Sequence, residues 1–395
     1  MFIADFHIHS KYSLATSRDM DIKALSSWAA IKGISMLGTG DFTHPKWIKE
    51  LKRNLVKEGR SYSYGGIEFI LTAEVSNIYR KAGRTRKVHN IIFAPCIRSA
   101  EEAGKALSEY GRLASDGRPI LKLDCRRMAK LLEKVDPEIF IVPAHIWTPH
   151  FGVLGAVSGF ESLEECFEDE TSRIFAAETG LSSDPGMNWR YSDLDRVSLI
   201  SNSDAHSPSK LGREANVFSG RIDYKGLVNI LKKQDTKRFL YTIEFFPEQG
   251  KYHWDGHRAC GIRLSPGEAV SSGNACPACG KALKAGVMHR VEELADRPVG
   301  YTSASRPPYK RVIALADIIS EALGARGASK KVSAEYRRIT GALGGEIRAL
   351  IEAEEEELKE ACPPKVARGI MNARKGAVKI EPGYDGVYGT VKACA

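Results

Sequence analysis

Short apolar runs alternate with amphipathic segments over residues 1–244. The runs are Phe2–Ile8, Ser35–Gly38, Phe69–Ala73, Ile91–Phe93, Ile139–Val142, Ile174–Ala177 and Val197–Ile200. Between them, segments such as Ile22–Ile31 and Ser99–Leu113 carry apolar residues at helical spacing. Repeated strand–helix units predict an α/β fold with a parallel sheet and helices outside it, most simply a barrel. Residues 245–290 are rich in Gly, His and Cys and too few to bury a core of their own, so they need a staple. Residues 291–395 read as mostly helical, with apolar positions at helical spacing in Val312–Leu323 and Ala334–Leu343. The acidic run Glu354–Glu357 reads as a solvated helix face. Turn residues between short apolar runs in Val378–Gly389 predict a closing hairpin.

Most of the early runs end in an acid or a histidine: His7 and His9, Asp41, Glu74, His145, Glu178, and Asp204 with His206. The carboxyl ends of barrel strands converge on one face, where chemistry is done. His89 departs from this rule because it opens its run. Residues two apart on a strand share a face, so His7 and His9 can hold one ion together while Phe6 and Ile8 turn into the wall. Asp204 and His206 repeat that arrangement. Mixed imidazoles and carboxylates suit Zn, Mn or Fe better than Mg or Ca. The set His7, His9, Asp41, His44, Glu74, His89, His145, Asp204 and His206 is larger than one ion can use, so two or three divalent ions (Zn, Mn, Mg or Fe) bridged by a carboxylate are expected. Asp41 reads either as a ligand or as a turn cap. Glu178 reads as a ligand, a support or a substrate contact. His150, five residues past His145, reads as a non-ligand.

A second constellation is His257-x2-Cys260, then Cys276-x2-Cys279. Two knuckle spacings complete a closed tetrahedral set, expected to hold one structural Zn.

The formal charge of +9 changes the picture of the substrate, since it favours a polyanionic partner. Arg80, Arg84, Arg86 and Lys87 lie just before His89 and are expected to contact DNA phosphates; Lys330-Lys331 and Arg337-Arg338 add charge further on. Tyr12, Trp147, Phe151, Trp189 and Tyr191 follow metal-bearing segments and either stack an extruded base or pack the rim. Eight cysteines, three at metal-like spacing and the rest scattered, no signal-peptide pattern and no long apolar run imply a cytoplasmic protein with no membrane partner.

The order H-x-H, D…H, E, H, H and D-x-H resembles the polymerase-and-histidinol-phosphatase (PHP) domain. That resemblance implies a distorted (β/α)7 barrel with a trinuclear metal centre. It also implies ligand roles for His7, His9, His44, Glu74, His89, His145, Asp204 and His206. Two departures stand out: Ser13-Leu14-Ala15 replaces an acid common in that family, and Phe42-Thr43 separates Asp41 from His44. Along the whole chain, Tyr252–Arg258, His289–Pro298, Ile380–Gly386, Gly38–Pro45 and Ser201–Pro208 resemble the endonuclease Q family. This implies a monomeric DNA repair endonuclease that uses metal-activated water, with Glu74, Asp204 and His206 at the reacting centre. It would cut 5′ of deaminated bases (uracil, hypoxanthine, xanthine) or abasic sites, with replication or repair proteins as further partners. The barrel alone equally suits a small-molecule phosphatase of the histidinol-phosphate type, or a non-catalytic DNA-binding or polymerase-associated module.

Overall fold

The computed structural model of the chain describes residues 1–327 and 329–394. Its first strand, β1 (Phe2–Asp5), is buried throughout and pairs in parallel with β2 (Met36–Gly38). The crossover between them is α1 (Ile22–Lys32). Asp21 caps this helix by accepting from the Ala24 N–H at 2.9 Å, and Gly33 ends it at φ 83°. β3 (Ile67–Lys81) then pairs in parallel with β2.

At this point the repeat of strand and helix stops. Ala82 and Gly83 both have positive φ (49° and 75°), the conformation that joins antiparallel strands with two residues. β3 therefore folds straight back into β4 (Arg84–Ala94), paired from Leu71↔Ala94 to Lys81↔Arg84. β4 runs antiparallel to β5 (Phe140–Pro143) as well. β6 (Ala176–Glu178) and β7 (Ser198–Ile200) form a separate parallel pair. On the other side of β1, β8 (Ala215–Phe218) and β9 (Phe239–Glu244) are antiparallel. The architecture is mixed α/β around a large central sheet, not a uniform ring of seven parallel βα units. The reversal of β4 explains His89: on an antiparallel strand, an early residue lies at the end where the other strands finish.

Side chains join β7 to β1 and β8, where no strand ladder does. Asn202 Oδ1 accepts from the Phe6 N–H (2.8 Å) and from Asn216 Nδ2 (2.9 Å). Asn216 in turn accepts from the Ser201 N–H and donates to the Ser201 carbonyl. An apolar cluster inside draws Phe6, Ile70, Phe93, Val142, Ala176, Ile200 and Phe218 from the strands. The helix Tyr224–Lys233 closes it at the end where β1 begins, with the Tyr224 hydroxyl donating to the Phe93 and Glu138 carbonyls.

The later residues are not a detached appendage. Tyr309–Arg311 adds a strand parallel to β9, and helices follow at Leu315–Leu323 and Lys330–Leu343, close to their expected bounds. Glu354–Glu356 are exposed at a helix start, where acids suit the dipole. Lys379–Glu381 pairs with Thr390–Lys392 as the expected hairpin. The predicted helix Ser99–Leu113 is realised as Ile97–Leu107, and an irregular loop follows it.

One buried ion pair joins α1 to the helical region. Lys32 contacts Glu346, which also accepts from the Tyr336 hydroxyl (2.6 Å) and the Leu315 N–H (3.0 Å). Burial opposes the charge on Glu346, but Lys32 and these donors outweigh it and hold the carboxyl below its usual 4.5. Such a group stabilises the fold fully above its unfolded pKa and loses that contribution as pH falls through the lower folded value. Glu346→Gln should therefore cost about 3–5 kcal/mol at neutral pH by stranding buried Lys32. Thermal melts from pH 7 down to pH 3 should show less acid-dependent loss in the variant than in the parent; parallel curves would refute the pairing.

Candidate metal centre

Residues just past β1, β5 and β7, together with the middles of β3 and β4, bring six buried or half-buried groups to one place. His7, His9, Glu74 and Asp204 offer ligand atoms that all lie within 4.8 Å of one another, and so do Glu74, His89 and His145. Glu74 belongs to both groups. Its Oε2 is 3.4 Å from His7 Nε2 and 3.2 Å from His9 Nε2, and its Oε1 is 2.6 Å from His89 Nδ1 and 3.0 Å from His145 Nε2.

The imidazoles are aimed from behind. Both Glu178 oxygens take the His7 Nδ1 at 3.0 Å, while Glu178 also accepts from the His145 N–H and from Asn202. His7 Nε2 is thereby turned inward, buried and without a hydrogen-bond partner. His9 Nδ1 meets Asp41 Oδ1 at 3.1 Å, and Asp41 Oδ2 is held by the Ser10 N–H, the Ser10 hydroxyl and Ser13. A carboxylate behind each histidine is how metal-binding imidazoles are oriented. Glu178 and Asp41 are thus supports in this arrangement.

Three of the expected residues are strained. Asp41, His145 and Asp204 have φ of 50°, 30° and 47°, conformations costing about 1–3 kcal/mol each. Glycines allow the close packing around them: a Cβ on Gly40 would lie 2.3 Å from the Ile8 carbonyl oxygen, and one on Gly180 would lie 2.4 Å from the His145 Cβ.

The electrostatics favour added positive charge. Burial disfavours a charged His7, yet Glu178, Glu74 and Asp204 reverse this and raise its pKa well above the usual value. Glu74 is held well below the carboxylate range, against its burial, by His89 and His7. His89 falls to about 4, chiefly through burial. Four carboxylates (Glu74, Asp204, Glu178, Asp41) surround four imidazoles, and an inward-facing nitrogen lacks a partner. This donor set fits divalent ions.

The structure leaves three expected ligands outside these groups. His44 caps the helix Pro45–Asn54: its Nδ1 accepts from the Lys46 N–H, its Nε2 faces the Ala114 carbonyl at 3.3 Å, and its ring stacks on Tyr12. Both nitrogens are spent, so His44 does not face the cluster. Asp41 acts through His9. His206 is half-buried beside the cluster, with its ring 4.4 Å from that of His9 and its Nδ1 2.9 Å from the Asp204 carbonyl. His150 is exposed and away from the cluster.

Other expectations sort similarly. Arg86 is buried, donates to Gly159 and Glu165 and lies 4.2 Å over Phe160, so it packs a loop and does not face solvent. Arg80 and Arg84 are exposed near the tip of the β3–β4 hairpin. Arg84 is five residues from His89, about 17 Å along the strand. Of the aromatics, Phe151 lines a cavity of about 440 Å³ in front of the cluster and packs against His89 (4.3 Å). Trp147 and Trp189 are buried, and the Tyr191 hydroxyl donates to Glu161. The same cavity holds Arg118, whose Nη1 is 3.3 Å from Glu74 Oε2; its irregular loop carries no periodicity that marks it in the sequence.

Elsewhere, His257, Cys260, Cys276 and Cys279 converge within 4.8 Å, with Cys279 Sγ 3.5 Å from His257 Nδ1. His253 is buried apart and His289 pairs with Asp255, so His257 is the histidine that reaches the cysteines.

Residues 314–377 match the family model described as the MJ0043 C-terminal domain. YqxK of Bacillus subtilis strain 168 is 32% identical over 98% of both chains. The crystal structure of the lesion-specific endonuclease PfuEndoQ from Pyrococcus furiosus superposes with a TM-score of 0.88 at 32% identity, covering 99% of this chain and 95% of that one. A structure of Endonuclease Q with a 27-mer duplex carrying an abasic lesion at the active site gives 0.87 at 32% identity, covering 99% and 96%. The fold and site are those of a metal-dependent phosphodiesterase. Within that class, the chain belongs to the endonuclease Q family.

The shared carboxylate sets an expectation for metal content. His89→Ala should lose about one equivalent of bound metal and keep the other, whereas Glu74→Ala should deplete both. Elemental analysis of folded, dialysed variants checks this; equal losses would show that the two groups are not joined through Glu74.

Proposed function

We propose that this protein is a DNA repair endonuclease that cuts the phosphodiester 5′ of a deaminated base (uracil, hypoxanthine or xanthine) or an abasic site. The observation that carries the reading is the near-full-length likeness to an endonuclease Q bound to lesion-bearing duplex, joined to a buried two-group metal centre opening on a cavity. His7, His9, Glu74 and Asp204 would hold one divalent ion and Glu74, His89 and His145 a second, with Glu74 bridging. Ions bound there supply an activated water and neutralise charge developing on the phosphate. Glu178 and Asp41 keep His7 and His9 oriented, so the donor set is organised before substrate arrives. Phe151 and Leu181 at the cavity wall shield the reacting phosphate from bulk water. His206, half-buried against His9, would meet substrate or a further ion.

In this reading residues 1–244 carry the chemistry, 245–290 form a module stapled by zinc at His257, Cys260, Cys276 and Cys279, and 291–395 help grip the duplex. A closed four-ligand site supports folding and does no chemistry. Arg80, Arg84 and Lys87 contribute phosphate contacts from the β3–β4 hairpin.

End-labelled duplexes carrying one uracil, hypoxanthine or abasic site, incubated with Mg or Mn, should show a single nick 5′ of the lesion that EDTA abolishes. Turnover of simple phosphate monoesters with no nick on any lesion would overturn the proposal. The hairpin gives a paired expectation. Arg84→Ala should weaken DNA binding and lower its salt dependence at unchanged melting temperature, while Arg86→Ala should lower the melting temperature. Identical behaviour of the two would refute the assignment.

A further inference from the structure

Arg118 has no counterpart among the metal donors and opposes them in charge. It is held by the loop after Ile97–Leu107. There the Arg118 N–H meets Asp116 Oδ1 at 3.2 Å, the Gly117 N–H donates to the Tyr12 carbonyl, and the Ser76 N–H donates to the Pro119 carbonyl. Gly117 is pressed onto the His9–Asp41 pair so closely that a Cβ there would lie 2.2 Å from Asp41 Oδ2. The loop is therefore fixed on both sides of residue 118.

The side chain enters the cavity with about a quarter of its surface exposed. Its guanidinium makes one hydrogen bond among the described residues, to Glu74 Oε2. That oxygen also faces His7 and His9, where an ion would bind. A cation competing for a metal-bridging carboxylate weakens metal binding, so metal binding alone gives it no reason to be there. A guanidinium has several N–H donors in a planar fork that matches phosphate oxygens two at a time. Most of this fork is unused and shares the cavity with His89, His145, Asp204 and Ser182.

We propose that Arg118 is a catalytic residue that binds the non-bridging oxygens of the scissile phosphate and neutralises charge as the diester is cleaved. The inference rests on the phosphodiesterase reading of this centre and is independent of which lesion is preferred.

The test uses the full chain loaded with Mn, as the parent, Arg118→Gln and Arg118→Lys. Metal content is measured first, then binding of inorganic phosphate by calorimetry, then hydrolysis of bis(p-nitrophenyl) phosphate and of lesion duplex. Metal content should be unchanged or higher in both variants. Phosphate binding should weaken about 10-fold or more in Arg118→Gln, with partial recovery in Arg118→Lys. kcat should fall about 10²–10³-fold, as for other charge-stabilising donors. A methylphosphonate at the scissile position, which lacks one charged oxygen, should shrink the penalty of Arg118→Gln.

Unchanged phosphate affinity in Arg118→Gln, or metal loss that accounts for the whole defect, would overturn the proposal and leave Arg118 as a counter-ion to Glu74. Lesion nicking indifferent to Arg118 would sink this inference alone. Arg118-dependent hydrolysis of the simple diester with no lesion preference would support it while sinking the lesion reading. Phosphate binding decides the question even where neither substrate turns over.

Discussion

The Glu74 carboxylate is the constraint around which the site is arranged. It is buried at 1% exposure, and two groups of imidazoles approach its two oxygens. An isolated buried charge costs several kcal/mol, so such a group persists only where its neighbours compensate it. Its position on β3 sets the demands on the other strands. β1 must bring His7 and His9 to one oxygen, and β4 and β5 must bring His89 and His145 to the other. The direct β3–β4 hairpin serves this demand, since an antiparallel β4 places His89 within 2.6 Å of Glu74 where a crossover helix would have separated them in sequence and in space.

The rest of the chain is fixed to this centre by two kinds of contact. The apolar core runs without a break from the sheet's outer layer into Leu315, Ile318, Ile339 and Ile370. Apolar packing is strong but not directional. Orientation comes from charged pins across the same boundary. Arg190 makes two 2.7 Å bonds to Glu292, Arg311 bridges Asp184 and Glu248, and Lys32 meets Glu346. The closing hairpin adds backbone bonds from Gly383 to Glu248 and from Trp254 to Gly383. These contacts fix the helical region and the closing hairpin relative to the strands that carry the site.

Legibility in the sequence followed the range of the interaction. His7 and His9 were readable because a strand's two-residue repeat is local, and the Cys and His knuckles for the same reason. Glu74, His145 and Asp204 were readable from their place at the ends of apolar runs. His44 was misplaced because a histidine next to Pro45 at a helix start serves a cap as readily as a metal. Arg86 was misplaced because the residues that cover it, Gly159 and Glu165, are more than seventy positions away. Arg118 was missed because it lies in a loop with no periodicity, fixed by contacts to Tyr12 and Ser76. The alternation of strand and helix gave the α/β class, but the mixed directions depended on the backbone of Ala82 and Gly83.

The backbone itself argues for chemistry at the strand ends. Left-handed φ values are cheapest for glycine and tolerable for asparagine. At Asp41, His145 and Asp204 the chain instead keeps two acids and a histidine, at a cost of about 1–3 kcal/mol each. Asp41 and Asp204 are two of the three carboxylates that touch His9, the third being Glu74, and His145 is one of the two imidazoles on Glu74 Oε1. A fold selected for stability alone would place glycine at these turns, as it does at Gly40 and Gly180 beside them. At these three positions the side chains that reach the cluster or orient its histidines are kept despite the strain, so side-chain chemistry outweighs backbone comfort there. Arg118 reflects a different balance: it offsets part of the buried Glu74 charge while leaving most of its donor fork free for the cavity. At the three strained turns the sequence gives up stability at the point where the arrangement would bind and turn over a phosphodiester.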